Sequence, residues 1–185
     1  MGYYSADVLD PAIQHLLAIS LAAIFAGSAA AKLYDLDVFE GAVADYRIVP
    51  RWLERPVALA VPVCESICAA GILFSATRAA AAAALALLLM AFSAAIAINL
   101  ARGRREIDCG CFGPALRQQL GPPLLVRNLA LIIAALSLEA RSAARTLESL
   151  DFATIGCGAA VLVMVYLGVN YAIANAPVTR ALKMF

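Results

Sequence analysis

The sequence predicts an all-α membrane protein, a polytopic bundle of about five transmembrane helices forming a single integral membrane domain over residues 1–185. Of the 185 residues, 64% are hydrophobic and only 15% charged, and the mean hydropathy is +0.87, a balance suited to lipid as solvent. Five apolar stretches reach or approach the roughly 20 residues that a helix needs to cross the hydrocarbon. The arginines are dispersed among the intervening loops and not gathered on one face, so nothing resembles a nucleic-acid surface. The chain has no room for an additional soluble domain.

The stretches run at about 13–31, 57–76, 79–101, 124–140 and 153–176. The first, third and fifth contain no Asp, Glu, Lys or Arg, whereas the second carries Glu65 and the fourth carries Arg127 near its start and Glu139 at its end. Pro122-Pro123 fits the entry to the fourth helix, where missing amide donors cost nothing. No positively charged region precedes the first stretch, which therefore reads as a retained span and not a cleaved signal. Ala22, Ala26 and Ala30 recur at helical spacing and predict a close-packing stripe. His15, near a helix end, reads as an interfacial residue.

Five crossings put residues 32–56, residues 102–123 and the C-terminal tail on one face, opposite the N-terminus, the 77–78 turn and residues 141–152. Cys109 and Cys111 then lie beside the start of the second helix, which carries Cys64 and Cys68 about one and two turns inside the same face. Four of the five cysteines converge there, and a spacing of four points Cys64 and Cys68 along one stripe. Cys157 enters from the opposite face and reads as a small packing residue.

The chemistry centres on Asp108-Cys109-Gly110-Cys111-Phe112-Gly113-Pro114. A disulfide between cysteines one residue apart closes a very small ring, so it is expected to be strained, oxidising and suited to exchange. Gly110 and Gly113 supply backbone freedom and Pro114 fixes one dihedral, as a tight turn requires. Glu65 is an ionisable group at membrane depth, where such groups are costly and usually paired or functional. Its candidate partners are Lys32 and Arg127, with Asn99 and Asn128 as neutral neighbours. Such a cluster serves either as a structural ion pair fixing helix register or as a cation source that favours a thiolate. The residues therefore nominate Cys109 and Cys111 as a reactive pair and Cys64 and Cys68 as a second pair or relay. Glu65, Lys32, Arg127 and Asn128 are the supporting groups. Electrons would pass to or from a membrane quinone or a thioredoxin fold, although no motif identifies a quinone site. Two rivals stand beside thiol chemistry: soft-metal binding by four thiolates, and an assembly platform whose cysteines are incidental.

Several motifs together carry a family resemblance: Lys32-Leu33, Tyr46-Arg47-Ile48-Val49-Pro50, Glu65, Asn99-Leu100 with Gly103, Cys109-Gly-Cys-Phe-Gly113 and Arg127-Asn128-Leu129. This combination resembles the MauE family of methylamine utilisation proteins over roughly residues 13–140. The family is similar in outline to DoxX-like membrane proteins and, more distantly, to the vitamin K epoxide reductase family, which implies a four-helix core plus one helix. The resemblance implies a role in maturing the small (beta) subunit of methylamine dehydrogenase, which is periplasmic, densely disulfide-bonded and carries a tryptophan-derived quinone. It also implies a thioredoxin-like partner, MauD, and a place in the bacterial inner membrane as a thiol–disulfide oxidoreductase. Charge argues the other way on orientation. Ten Lys and Arg lie on the thiol face against three opposite, which under the positive-inside rule makes that face cytoplasmic. A donor of disulfides needs the oxidising side, and the thiol loop is accordingly expected in the periplasm.

Overall fold

A computed structural model describes residues 8–111, 118–143 and 145–182. Six helices follow in order: α1 (Pro11–Tyr34), α2 (Leu36–Tyr46), α3 (Arg51–Leu73), α4 (Arg78–Ala101), α5 (Pro122–Ser137) and α6 (Ser149–Leu182). Helices α1, α3, α4 and the 149–175 part of α6 are long and apolar enough to cross a membrane, and α5 is a shorter apolar helix. Its 16 residues rise about 24 Å, less than the roughly 30 Å of hydrocarbon. The chain is thus a multi-pass helical membrane protein.

Helix α1 is the centre of the bundle, packing on α3, α6, α2 and α5. Asp10 caps it by accepting the Ala12 amide at 2.8 Å, with Pro11 at the first helical position. Its buried stripe is Ala18, Leu21, Ala22, Phe25, Ser28, Ala29 and Lys32, while Ala26 and Ala30 are exposed. The expected Ala22/Ala26/Ala30 stripe therefore does not form. The buried face alternates steps of three and four, as a 3.6-residue turn demands, and a strict four-residue row rotates off it. Leu85, Leu89, Cys68 and Ile72 meet this stripe in the main core.

Helix α2 occupies a segment expected to be loop. Asp35 caps it by accepting the Val38 amide at 3.3 Å, and Arg47 ends it in the left-handed region at φ 49°. It buries Phe39 and Ala42 and rests on α3 and α1. Helix α3 likewise begins six residues before the apolar run, with Pro56 within its first two turns.

The bundle end at the N-terminus is tied by polar contacts. Arg145 holds Asp10 at 3.0 Å and Asp151 at 2.7 Å. Arg78 donates to Gln14 Oε1 at 3.1 Å and to the Ile72 carbonyl at 3.0 Å, and Gln14 donates to the Ala140 carbonyl at 3.1 Å. A two-residue parallel pairing of Val8–Leu9 with Arg141–Ser142 completes the clasp. His15 hydrogen-bonds the Pro11 carbonyl at 2.7 Å.

Candidate functional site

The cysteine turn sits at the other end of the bundle, held as a short antiparallel bridge between Asp108 and Gln119. The Cys109 amide donates to the Gln118 carbonyl at 2.8 Å and Leu120 donates to Ile107 at 3.1 Å. One Asp108 carboxylate oxygen accepts the amides of Gly110 at 3.2 Å and Gln118 at 3.1 Å. Gly110 has φ +73°, and a Cβ there would lie 3.0 Å from Ala42 Cβ and 3.3 Å from the Phe39 ring. Helix α2 is therefore the shelf on which the turn rests. Gly113 and Pro114 lie outside the described residues.

This arrangement makes Gly110 sensitive. Gly110→Ala imposes a left-handed conformation costing about 1–2 kcal/mol and pushes the turn off α2. The expected outcome is a protein that inserts normally while closure of its Cys109–Cys111 pair slows, as counted by free thiols after timed mild oxidation.

The two sulfurs are 2.7 Å apart, nearer than nonbonded sulfurs rest and longer than the 2.03–2.05 Å of a disulfide. Cys109 is buried and Cys111 half-buried. Arg127 places Nη2 3.6 Å from Cys111 Sγ. A hydrogen bond from Cys109, reinforced by the charges of Arg127 and Lys32, holds the Cys111 thiol well below its ordinary range. The same contact and burial push the Cys109 thiol up. The pair is thus polarised, with Cys111 the more readily ionised sulfur. Burial, with the Cys109 and Cys111 sulfurs nearby, pushes the Tyr46 hydroxyl up as well.

Beneath the turn, Lys32 Nζ contacts both Glu65 oxygens at 2.7 Å, each side chain being 1% exposed. Lys32 also donates to Ser28 Oγ at 2.6 Å, and Ser28 Oγ is 3.3 Å from the Cys111 carbonyl oxygen. Arg127 is pinned on its other side: it donates to Asn170 Oδ1 at 2.6 Å, Gln118 Oε1 at 3.1 Å and Asn128 Oδ1 at 3.0 Å. Asn128 in turn donates to Ser93 Oγ at 3.2 Å. Among the described residues every buried side-chain nitrogen and oxygen has a partner, so these charges are fixed in place and fully solvated by protein. Ser28, Lys32, Glu65, Cys111, Arg127 and Asn128 surround a cavity of about 20 Å³, room for one water.

The structure brings Cys109, Cys111, Lys32, Glu65, Arg127 and Asn128 together. Cys64 is exposed on the outer face of α3, and Cys68 is buried in the apolar core beside α1 and α4; neither lines the cavity at Cys111. Asn99 donates to the Tyr46 carbonyl at 3.2 Å and fixes the end of α2. Cys157, expected to pack, is exposed, because α6 meets α1 through Ile155, Gly158 and Ala159 and turns Cys157 outward. Sequence reasoning missed Ser28, Gln118 and Asn170. Asn170, one of two amides within an otherwise apolar run, was the available signal.

The family model described as methylamine utilisation protein MauE matches residues 10–140. The MauE protein of Paracoccus denitrificans is 37% identical over 164 residues, covering 88% of each chain. That of Paracoccus versutus is 39% identical over 158 residues, covering 85% of each. That of Methylorubrum extorquens is 41% identical over 129 residues, covering 70% of this chain and 69% of the relative. No solved structure matches. With the matched span running from the cap of α1 through α5 and including Lys32, Glu65, Cys109, Cys111 and Arg127, the chain belongs to the MauE family.

Proposed function

We propose that this protein serves methylamine utilisation as a membrane thiol–disulfide exchange protein that helps form the disulfides of the methylamine dehydrogenase small subunit. The observation that carries the reading is the Cys109–Cys111 pair, its sulfurs 2.7 Å apart with a pinned guanidinium 3.6 Å from one of them. A cation fixed beside one of two adjacent sulfurs creates the thiolate that exchange chemistry consumes. Cys111, the more exposed sulfur, exchanges with a thioredoxin-like partner of the MauD type, and Cys109 closes or opens the internal bond. Lys32–Glu65 and Asn128 are positioning residues acting through Cys111 and Arg127.

The protein lies in the bacterial inner membrane with the thiol end in the periplasm. The Lys and Arg count that opposes this orientation includes Lys32, which is buried against Glu65 and is no loop charge. Soft-metal binding is the weaker reading. Among the described residues no three His, Cys, Asp or Glu side chains converge as ligands, and Cys64 and Cys68 lie off the cavity at Cys111.

The testing experiment presents the oxidised, purified protein with a reduced MauD-type partner. Transfer of one disulfide per molecule is expected, and no transfer over hours overturns the reading. The electrostatic part is tested by alkylation of reduced Cys111 with iodoacetamide across pH. The thiolate reacts, so the rate rises with pH through the Cys111 titration, and in the wild type this rise falls below the ordinary thiol range. Arg127→Ala moves the rise to higher pH and slows alkylation at neutral pH by about tenfold.

A further inference from the structure

Two apolar pockets reach the thiol site from the lipid-facing side, and they differ in what their inner walls offer. One, of about 790 Å³ between α1, α5 and α6, ends at Arg127 and Tyr166 and has no sulfur in its wall. The other, of about 230 Å³ between α2, α3 and α4, is walled by Phe39, Tyr46, Val61, Ala91 and Phe92 and has Cys109 itself in its lining. No charged side chain lines this second pocket, so it is complementary to a neutral molecule and hostile to any carrier bearing phosphates. The walls belong to helices of a membrane bundle, and Ala91 at its edge is exposed, so a ligand enters from the bilayer. The three aromatic side chains suit a flat ring.

We infer that this pocket holds the ring of a lipid-soluble quinone, the oxidant that returns the Cys109–Cys111 pair to its disulfide. The inference rests on the exchange reading above, because a pair that gives its disulfide away is left as two reduced sulfurs. A two-electron, two-proton acceptor matches that deficit. The choice of pocket follows from contact: the quinone must touch a sulfur, and in the larger cleft Arg127 stands between.

The Cys109 thiol adds to the quinone ring, forming an S–C bond while its proton passes to a quinone oxygen. The Cys111 thiolate then attacks the Cys109 sulfur, forming the S–S bond and breaking the S–C bond, whose electron pair returns to the ring. One proton from water completes the hydroquinone. Two electrons leave the sulfurs and the quinone gains them with two protons. The Tyr46-Ile48-Val49 segment thereby acquires a role, since all three residues line the pocket.

The test uses the full chain, reduced and reconstituted in lipid nanodiscs, with decylubiquinone as the probe and oxidised glutathione as a soluble oxidant of the same pair. The expected result is one hydroquinone per molecule with loss of two thiols. Ala91→Trp, which fills the pocket mouth, should slow this by about tenfold or more, while Ala130→Trp in the larger cleft stays within about twofold of wild type. Closure by glutathione should be unchanged in both, which certifies the fold; Val61→Phe replaces Ala91→Trp if that control fails. Closure of the wild-type pair by glutathione but not by the quinone overturns the quinone inference and leaves exchange standing. Slowing by Ala130→Trp in place of Ala91→Trp overturns the choice of pocket. Closure by neither oxidant overturns the exchange reading and this inference with it.

Discussion

Replacing either Cys109 or Cys111 with Ser is expected to abolish accumulation of the mature methylamine dehydrogenase small subunit while leaving this protein in the membrane at normal level. The reason is stoichiometric: neither sulfur alone can hold, give or regain an internal disulfide. The effect on fold should be small. Cys111 is half-buried, and Cys109 contributes to a modest apolar cluster with Ile96, Ile107, Leu120 and Leu124. Immunoblots of the subunit and of this protein from the same membranes make the measurement. Correctly bridged subunit at wild-type abundance in the Cys111→Ser strain refutes the exchange role and favours the assembly-platform alternative. Cys64→Ser and Cys68→Ser should both leave subunit levels unchanged, because neither residue lines the cavity at Cys111.

Lys32→Ala is the substitution expected to cost most in stability. It leaves Glu65, 1% exposed, as an uncompensated charge inside the bundle, and removing one partner of a buried pair destabilises by about 3–5 kcal/mol. It also breaks the contact to Ser28, whose hydroxyl supports the Cys111 carbonyl. The variant should unfold at markedly lower temperature in detergent, whereas Arg55→Ala, which breaks an exposed pair with Glu40 at 3.6 Å, should be within about 1 kcal/mol of wild type. Equal unfolding temperatures for Lys32→Ala and wild type contradict the assignment of Lys32–Glu65 as the internal anchor.

Much of this was legible in residue types. Long apolar runs report membrane helices because lipid requires every backbone group to be satisfied within the segment. Glu65 and Arg127 stood out because charge at that depth has no cheap explanation. Helix α2 was hidden by its composition: Asp37, Glu40, Gly41 and Asp45 interrupt the apolar signal, and only Phe39 and Ala42 mark a buried face. Its Asp35 cap was readable. The neutral half of the Arg127 network was not, since a search for charge passes over Gln118 and Asn170. The inward stripe of α3 was also misjudged. Glu65 and Cys68 face in while Cys64 faces out, because four residues advance a helix by about 40° beyond one turn.

The most direct test of the exchange role is mass spectrometry of non-reduced peptides from thiol-blocked membranes carrying Cys109→Ser. With its internal partner removed, Cys111 can no longer resolve an intermolecular bond, and the account predicts a mixed disulfide joining Cys111 to a cysteine of the MauD-type partner or of the small subunit. Cys111 recovered only as a free thiol, in cells expressing both the MauD-type partner and the small subunit, contradicts it.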